Sequence, residues 1–130
     1  MKVHPFEAVD SLQFGATAQA IKELLGPPIG DKVSRRREQE LRYTDACYRF
    51  DSQGSLVEVT IDAPAVQFGR ISVPFKLLAA YLKEQDNSTF EKAGFVVSPA
   101  YGIALDPASP SWVTAFSCKR LVQWHAIASQ

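Results

Sequence analysis

The sequence predicts a single α+β domain over residues 1–130, with two helices packed on one face of an antiparallel sheet. Two segments, 17–25 and 75–85, repeat apolar residues at the three- and four-residue spacing of an amphipathic helix. Several short segments alternate apolar and polar residues as strands do, and Gly- and Pro-containing turns separate them. A 130-residue chain that is 46% hydrophobic suits one globular body with its own core.

The first helix is predicted over residues 17–25. Thr17 can act as its N-cap, and Gly26-Pro27-Pro28 ends it because proline cannot continue a helix. Its apolar stripe consists of Ala18, Ile21, Leu24 and Leu25.

A hairpin is predicted next, with arms at 41–50 and 55–62 joined by a turn in which Gly54 can adopt positive φ. The polar stretch 29–40 before it is either an exposed loop or the start of a strand. Leu41 and Tyr43 lie out of phase with Tyr48 and Phe50. This phase change indicates either a bulge near Asp45 or a strand that begins later.

The second helix is predicted over about 75–85, with Pro74 near its first turn. Three strands follow, at about 94–98, 101–105 and 111–118, and residues 121–127 are either a last strand or a short helix. We expect the two helices to cover one face of the sheet, leaving the other as the natural functional surface. The strand residues predicted beneath the helices are Tyr48, Phe50, Val57, Val59, Ile61, Val96, Ile103, Val113 and Phe116.

A short internal similarity suggests a pseudo-duplicated α–β unit. Leu12-Gln13-Phe14-Gly15 recurs as Val66-Gln67-Phe68-Gly69, and each copy precedes a predicted helix. Chance can also produce a four-residue match. A duplication would give the order helix–strands, helix–strands.

Composition excludes several functional classes. The 14 basic residues balance the 14 acidic ones, which argues against non-specific nucleic-acid binding. No apolar run is long enough for a membrane span, and the first residues do not resemble a secretory signal, so we expect a cytoplasmic protein. The motifs of P-loop nucleotide hydrolases, dinucleotide-binding folds, zinc proteases and EF-hands do not occur. We therefore predict no cofactor, no metal site and no catalytic residue.

The cysteines and histidines leave alternatives open. Cys47 and Cys118 are either two reduced thiols in the core or one disulfide. Cys118 and His125 are close enough in sequence to suggest a catalytic pair, although no known motif surrounds them. A surface or partly buried histidine is the alternative.

Candidate partner-binding residues fall in two places. Arg35, Arg36 and Arg37 form either a docking patch for an acidic partner or a solvated loop neutralised by Glu38 and Glu40. Tyr101 and Trp112 belong to stretches that would expose an edge strand to a partner, whereas the alternative for Trp112 is a core position.

The order of motifs over about 12–118 resembles small bacterial immunity proteins of secreted and contact-dependent toxin systems, and related uncharacterised families. The matching residues are Phe14-Gly15, Leu25-Gly26-Pro27-Pro28, the stretch from Tyr48 to Gly54, and Gly102-Ile103-Ala104-Leu105. The resemblance implies a compact α+β fold and a toxin-binding role.

The sequence as a whole favours a non-enzymatic protein-binding module, for which an immunity protein that neutralises a cognate toxin is the specific form. A small-ligand binding or sensing domain, with a pocket between sheet and helices, is the first alternative. A small enzyme using His125 with Cys118 is the second.

Overall fold

The computed structural model describes residues 1–129 as two sheets with three helices. The elements in chain order are β1 (Lys2–His4), β2 (Ala8–Val9), β3 (Leu12–Gln13), α1 (Ala18–Leu25), β4 (Gly30–Val33), β5 (Gln39–Arg42), β6 (Ala46–Phe50), β7 (Leu56–Asp62), β8 (Ala65–Phe68), β9 (Ile71–Pro74), α2 (Phe75–Gln85), β10 (Phe90–Lys92), β11 (Phe95–Ser98), β12 (Ile103–Leu105), β13 (Trp112–Phe116) and α3 (Cys118–Ser129).

The larger sheet has eight strands in the order β10-β11-β12-β13-β7-β6-β5-β4, and all neighbours are antiparallel. The predicted arm 41–50 is two strands, β5 and β6. A tight turn joins them, in which the Tyr43 N–H donates to the Ala46 carbonyl at 2.8 Å. This turn causes the phase change in the sequence. The bulge near Asp45 is therefore wrong, and the alternative of a strand that begins later is confirmed, because β6 begins at Ala46. The register irregularity lies instead between Arg49 and Phe50.

The smaller sheet has five strands in the order β3-β2-β1-β8-β9. The prediction of a single antiparallel sheet is therefore corrected in two ways. The first 13 residues supply three short strands, and β1 pairs with β8 in parallel, with Lys2 opposite Gln67. Strands of two or three residues are too short to show a clear alternation in sequence.

The main hydrophobic core lies between these layers. The inward residues of both sheets and the apolar faces of α1 and α2 form one cluster. Thr17 caps α1 as predicted, because its hydroxyl accepts a hydrogen bond from the Ala20 N–H at 3.2 Å. The fully buried residues of this cluster include Ile21, Leu41, Phe50, Leu56, Val59, Leu78, Leu82 and Ile103.

A third helix lies on the opposite face of the larger sheet. Helix α3 includes residues 121–127, which confirms the helix alternative for that segment, and it packs on β7, β10 and β13. The prediction of only two helices is therefore not confirmed. Phe116, which was expected under the first two helices, lies instead in a second cluster beneath α3. Alternation explains this, because Val113 and Ala115 of the same strand face the main core.

The two copies of the internal similarity do not form equivalent units. Both lie in the smaller sheet, but one is in edge strand β3 and the other is in β8, which pairs with two neighbours. Helix α1 follows the first copy after a turn, whereas β9 separates the second copy from α2. The predicted duplication is therefore not confirmed.

Among the described residues, no helix combines the length and the apolar character that crossing a membrane would require.

Candidate functional site

The candidate site is the part of the larger sheet that α3 leaves uncovered, on the face opposite the main core. Helix α3 packs over the aromatic residues at the β10–β13 end of this face. Beyond it the strands present polar and charged side chains together with one exposed tryptophan. This open face consists of Glu40, Arg42, Cys47, Arg49, Thr60 and Trp112.

A row of alternating charges runs across four neighbouring strands of this face. Lys32 lies opposite Glu40, Glu40 opposite Arg49, and Arg49 opposite Glu58. The Lys32 Nζ is 4.0 Å from the Glu40 carboxylate, and the Arg49 Nε is 3.8 Å from that same carboxylate. The Arg49 Nη1 is 2.9 Å from Glu58 Oε2. Directly opposed residues of opposite charge stabilise an antiparallel pair.

Arg49 is the centre of this row. Burial alone would lower the pKa of its guanidinium, but the interactions with Glu58, Cys47 and Glu40 together outweigh that effect, so the pKa is raised. Arg49 also donates from Nη1 to the Thr60 hydroxyl at 3.2 Å. The guanidinium is therefore held in place by an acid and by a hydroxyl.

A second row of side chains lies on the same face, two residues along β6 and β7, and carries less charge. Cys47 lies opposite Thr60, and Thr60 lies opposite Thr114, with 2.8 Å between the two hydroxyl oxygens. The Cys47 thiol donates to Glu40 Oε1 at 3.2 Å. Burial raises the pKa of this thiol to about 11, so it is protonated at neutral pH. Cys47 is accordingly a weak nucleophile here.

Two adjoining cavities make this surface concave. One has a volume of about 420 Å³ and the other about 400 Å³, and both are lined by Arg49, Thr60 and Trp112. The first cavity extends toward α3 and also contacts Trp124. We call the two cavities together the groove. Its volume lies in the range of small-molecule sites, and it is continuous with the open face.

Glu58 connects the groove to α3. One carboxylate oxygen binds Arg49, and the other accepts a hydrogen bond from the Trp124 indole N–H at 3.2 Å. The Trp124 ring also stacks on Phe116, with 5.6 Å between the ring centroids. The helix that forms one end of the groove is thus fixed to the charged row.

Of the predicted partner-binding residues, only Trp112 lines the groove. Its side chain is 39% exposed, so the alternative of a core position is wrong. Tyr101 belongs to an aromatic group elsewhere, with its ring 5.1 Å from Phe68 and 6.4 Å from Tyr81. The expected edge strand is also wrong, because β12 and β13 are interior strands and the edges of this sheet are β10 and β4.

Arg35, Arg36 and Arg37 form the exposed tip of the β4–β5 hairpin. The Ser34 hydroxyl accepts hydrogen bonds from the backbone N–H groups of Arg36 and Glu38, each at 3.2 Å, which shapes the turn. The two acids expected to neutralise this tip bind elsewhere.

The Glu38 carboxylate lies 3.1 Å from the Arg120 guanidinium of α3, and Glu40 belongs to the charged row. Among the described residues, the positive charge of the hairpin tip is therefore not offset by ion pairs.

The residues of the enzyme alternative do not converge. Cys118 and His125 lie seven residues apart on α3, which places their Cα atoms about 10 Å apart along the helix. The His125 ring stacks on Phe90, with a centroid distance of 5.6 Å. The two cysteines are unbonded, and Cys118 is exposed, so the prediction of two core thiols holds for Cys47 alone.

Within residues 1–129, no three His, Cys, Asp or Glu side chains converge closely enough to hold a metal ion. Most residues of the groove, including Arg49, Glu58 and Thr60, were not predicted as site residues from the sequence. The sequence did contain one indication of a polar face here, because Glu58 and Thr60 alternate with apolar residues along one strand. Those apolar residues are Val57, Val59 and Ile61. Which charges meet depends on strand register, which the pattern of a single strand does not contain.

Comparison of the chain with protein-family models, curated proteins and solved structures finds no significant match.

Proposed function

We propose that the protein is a non-enzymatic protein-binding module and that the groove around Trp112 is its contact surface. The observation that carries the proposal is a large aromatic side chain, 39% exposed, beside a guanidinium held at a defined position. Trp and Arg are the residue types that most often dominate the energetics of protein interfaces. A concave surface with fixed side chains also lowers the entropic cost of binding.

The hairpin tip is a second proposed contact. Arg35, Arg36 and Arg37 are exposed, while Glu38 is 3.1 Å from Arg120 rather than paired with them. Three unneutralised guanidiniums favour an acidic patch on the partner and speed its approach. Tyr101, by contrast, is left out of the proposed surface because its ring packs in the aromatic group of Phe68.

Within this class, the resemblance to immunity proteins suggests a bacterial toxin as the partner. In that form of the proposal the module would block its toxin at a one-to-one ratio. Toxin candidates are the products of neighbouring genes. Each can be purified and assayed with and without this protein.

The test is a quantitative comparison of variants against one purified partner. A partner captured on the immobilised protein is produced in pure form, and its affinity is measured by calorimetry. We expect Trp112→Ala to weaken binding by roughly 30-fold or more, as the loss of a hot spot does. The matched control is Ile71→Ala, because Ile71 is 53% exposed but lies on β9 of the smaller sheet.

Equal affinity of the wild type, Trp112→Ala and the control would exclude the groove as the contact surface. A triple change of Arg35, Arg36 and Arg37 to Ala should slow association and reduce its salt dependence. Loss of binding in the Ile71→Ala control would instead place the contact on the smaller sheet.

A small-ligand binding role is a second candidate, favoured by one observation. The cavity of about 420 Å³ lies between the sheet and α3, and it is lined by aromatic, hydroxyl and charged side chains. A ligand that binds there would raise the melting temperature in a screen of metabolites. The rise should disappear in Trp112→Ala and persist in Ile71→Ala.

A further inference from the structure

The α3 end of the groove has aromatic walls. Phe95, Trp112 and Trp124 all line the cavity of about 420 Å³. Phe95 packs edge-on against Trp124, with 5.5 Å between centroids, while Trp112 takes part in no ring contact among the described residues. The exposed Trp112 ring is therefore accessible to a ligand.

The charged side chains that line this cavity are two carboxylates and one guanidinium. Its lining contains Glu58, Asp106 and Arg49. Arg49 is neutralised within the charged row by Glu58, at 2.9 Å. Asp106 forms no ion pair in the part of the chain that the structure describes. Its carboxylate accepts only from its own turn, from the Ala108 N–H at 2.9 Å and the Ser109 hydroxyl at 3.3 Å.

The aromatic wall on the α3 side is held rigidly before any ligand arrives. The Trp124 indole donates to Glu58 at 3.2 Å, and its ring stacks on Phe116 at 5.6 Å. Both contacts restrict the rotamers of Trp124. A fixed aromatic surface next to an unpaired carboxylate favours a ligand that is both bulky and positively charged.

We infer that this cavity binds an alkylammonium group, which would rest against Trp112 and Trp124 with Asp106 as its counter-ion. Cations are attracted to the faces of aromatic rings, most strongly to tryptophan. An anion would be repelled by the Asp106 carboxylate, and a neutral apolar group would leave that carboxylate without a counter-charge. The inference goes beyond the proposed function, because the group can belong to a free amine or to a lysine side chain of a partner.

Tryptophan side chains provide an intrinsic spectroscopic signal for this site. The chain has two tryptophans, Trp112 and Trp124, and both line the cavity. Intrinsic fluorescence and the two indole N–H resonances therefore respond to this site. The probe is tetramethylammonium chloride, with NaCl as the ionic-strength control and tert-butanol as the uncharged control of similar shape.

We expect tetramethylammonium to produce a saturable change in both indole signals in the millimolar range. NaCl and tert-butanol should produce none. Choline and Nα-acetyl-lysine methylamide then distinguish a free amine from a partner's lysine by which of the two binds more tightly.

Two variants test the assigned roles. Asp106→Asn keeps an acceptor for the Ala108 N–H but removes the charge, and should weaken binding by about two- to fivefold. Glu84→Gln, an exposed change on α2, is the control and should have no effect. Trp112→Ala should abolish the saturable signal of Trp124, and Trp112→Phe should retain it at reduced affinity.

The inference is overturned if tert-butanol binds as well as tetramethylammonium, if no saturation occurs, or if Trp112→Ala still responds. Partner binding that depends on Trp112 while tetramethylammonium fails to bind would reject the inference and leave the proposed function standing. Saturable binding of tetramethylammonium, together with partner binding that does not depend on Trp112, would reject the proposed function and leave the inference standing. Circular dichroism of each variant confirms that its fold is intact.

Discussion

The Asp86 carboxylate accepts a hydrogen bond of 2.7 Å from the Ser98 hydroxyl, which joins the end of α2 to β11. The same carboxylate accepts from the Ser88 N–H at 2.9 Å, from the Ser88 hydroxyl at 2.6 Å and from the Ala100 N–H at 3.1 Å. Burial alone would raise the pKa of Asp86, but these four donors lower it to about 2. Asp86 is thus a structural acid that fixes three segments together.

Asp86 should make stability depend on acidity. Because its folded pKa of about 2 lies below the ordinary value of 3.8, its contribution is complete above about pH 5 and is lost as the pH falls through 3.8 toward 2. The contribution lost is about 2 kcal/mol. We expect Asp86→Asn to be less stable than the wild type at pH 7 and to lose less stability between pH 5 and pH 2.5. Urea unfolding at each pH measures this, and Glu84→Gln, an exposed change on α2, is the control. An unchanged pH profile in Asp86→Asn would contradict the assignment.

Gly102 should tolerate no side chain. Its φ is +64°, and an added Cβ would lie 2.9 Å from the Phe116 carbonyl oxygen and 3.0 Å from the Phe6 ring. Gly102→Ala should therefore lower the free energy of unfolding by about 2–4 kcal/mol, through backbone strain and overpacking together. Gly54→Ala is the matched control, because Gly54 has a φ of +84° with nothing within 4 Å. If both variants lost equal stability in urea, the close contact at Gly102 would have no energetic effect.

The ion pair between Glu38 and Arg120 should stabilise the hairpin tip against α3. The Arg120 side chain is only 9% exposed, and it lies 3.1 Å from the Glu38 carboxylate. Glu38→Gln would leave that buried charge without its acid and should cost about 1–3 kcal/mol. Glu23→Gln on α1, an exposed position, is the control. A double-mutant cycle with Arg120→Met isolates the pair, and a coupling energy near zero would show that it contributes nothing.

The two thiols should differ in reactivity. Cys118 is exposed, whereas Cys47 is buried and burial raises its pKa to about 11. At pH 8 only about one part in a thousand of Cys47 would be thiolate, and thiolate is the reactive form. Iodoacetamide should therefore modify the folded protein once, at Cys118, with a second adduct only after unfolding. Mass spectrometry of Cys118→Ser should find no rapid adduct, and rapid labelling of that variant would place Cys47 at the surface.

The helices that pack on the main core were predictable because their apolar spacing is decided within the chain segment itself. Thr17 and the Gly26-Pro27-Pro28 stretch mark the ends of α1, and the observed helix is Ala18–Leu25. Helix α2 covers Phe75–Gln85 as expected. Local signals of this kind need no knowledge of distant residues.

The smaller sheet was missed because its pairing is long-range. Val3 lies opposite Phe68, 65 residues later in the chain, and neither strand has a strong pattern of its own. The turn at Tyr43–Ala46 was also misread, since it contains neither Gly nor Pro. The groove was missed for a related reason, because Arg49 and Glu58 meet only once the register of their strands is known.

The row of charges across β4, β5, β6 and β7 also discriminates against misaligned forms of the sheet. Slippage of one residue between β6 and β7 would turn Arg49 toward the apolar core, and slippage of two would remove Glu58 from its side. Either slippage would leave unpaired a charge that the native register neutralises. In a sheet of eight strands, many wrong pairings are accessible during folding. The four charged residues of the row favour the native register over these alternatives.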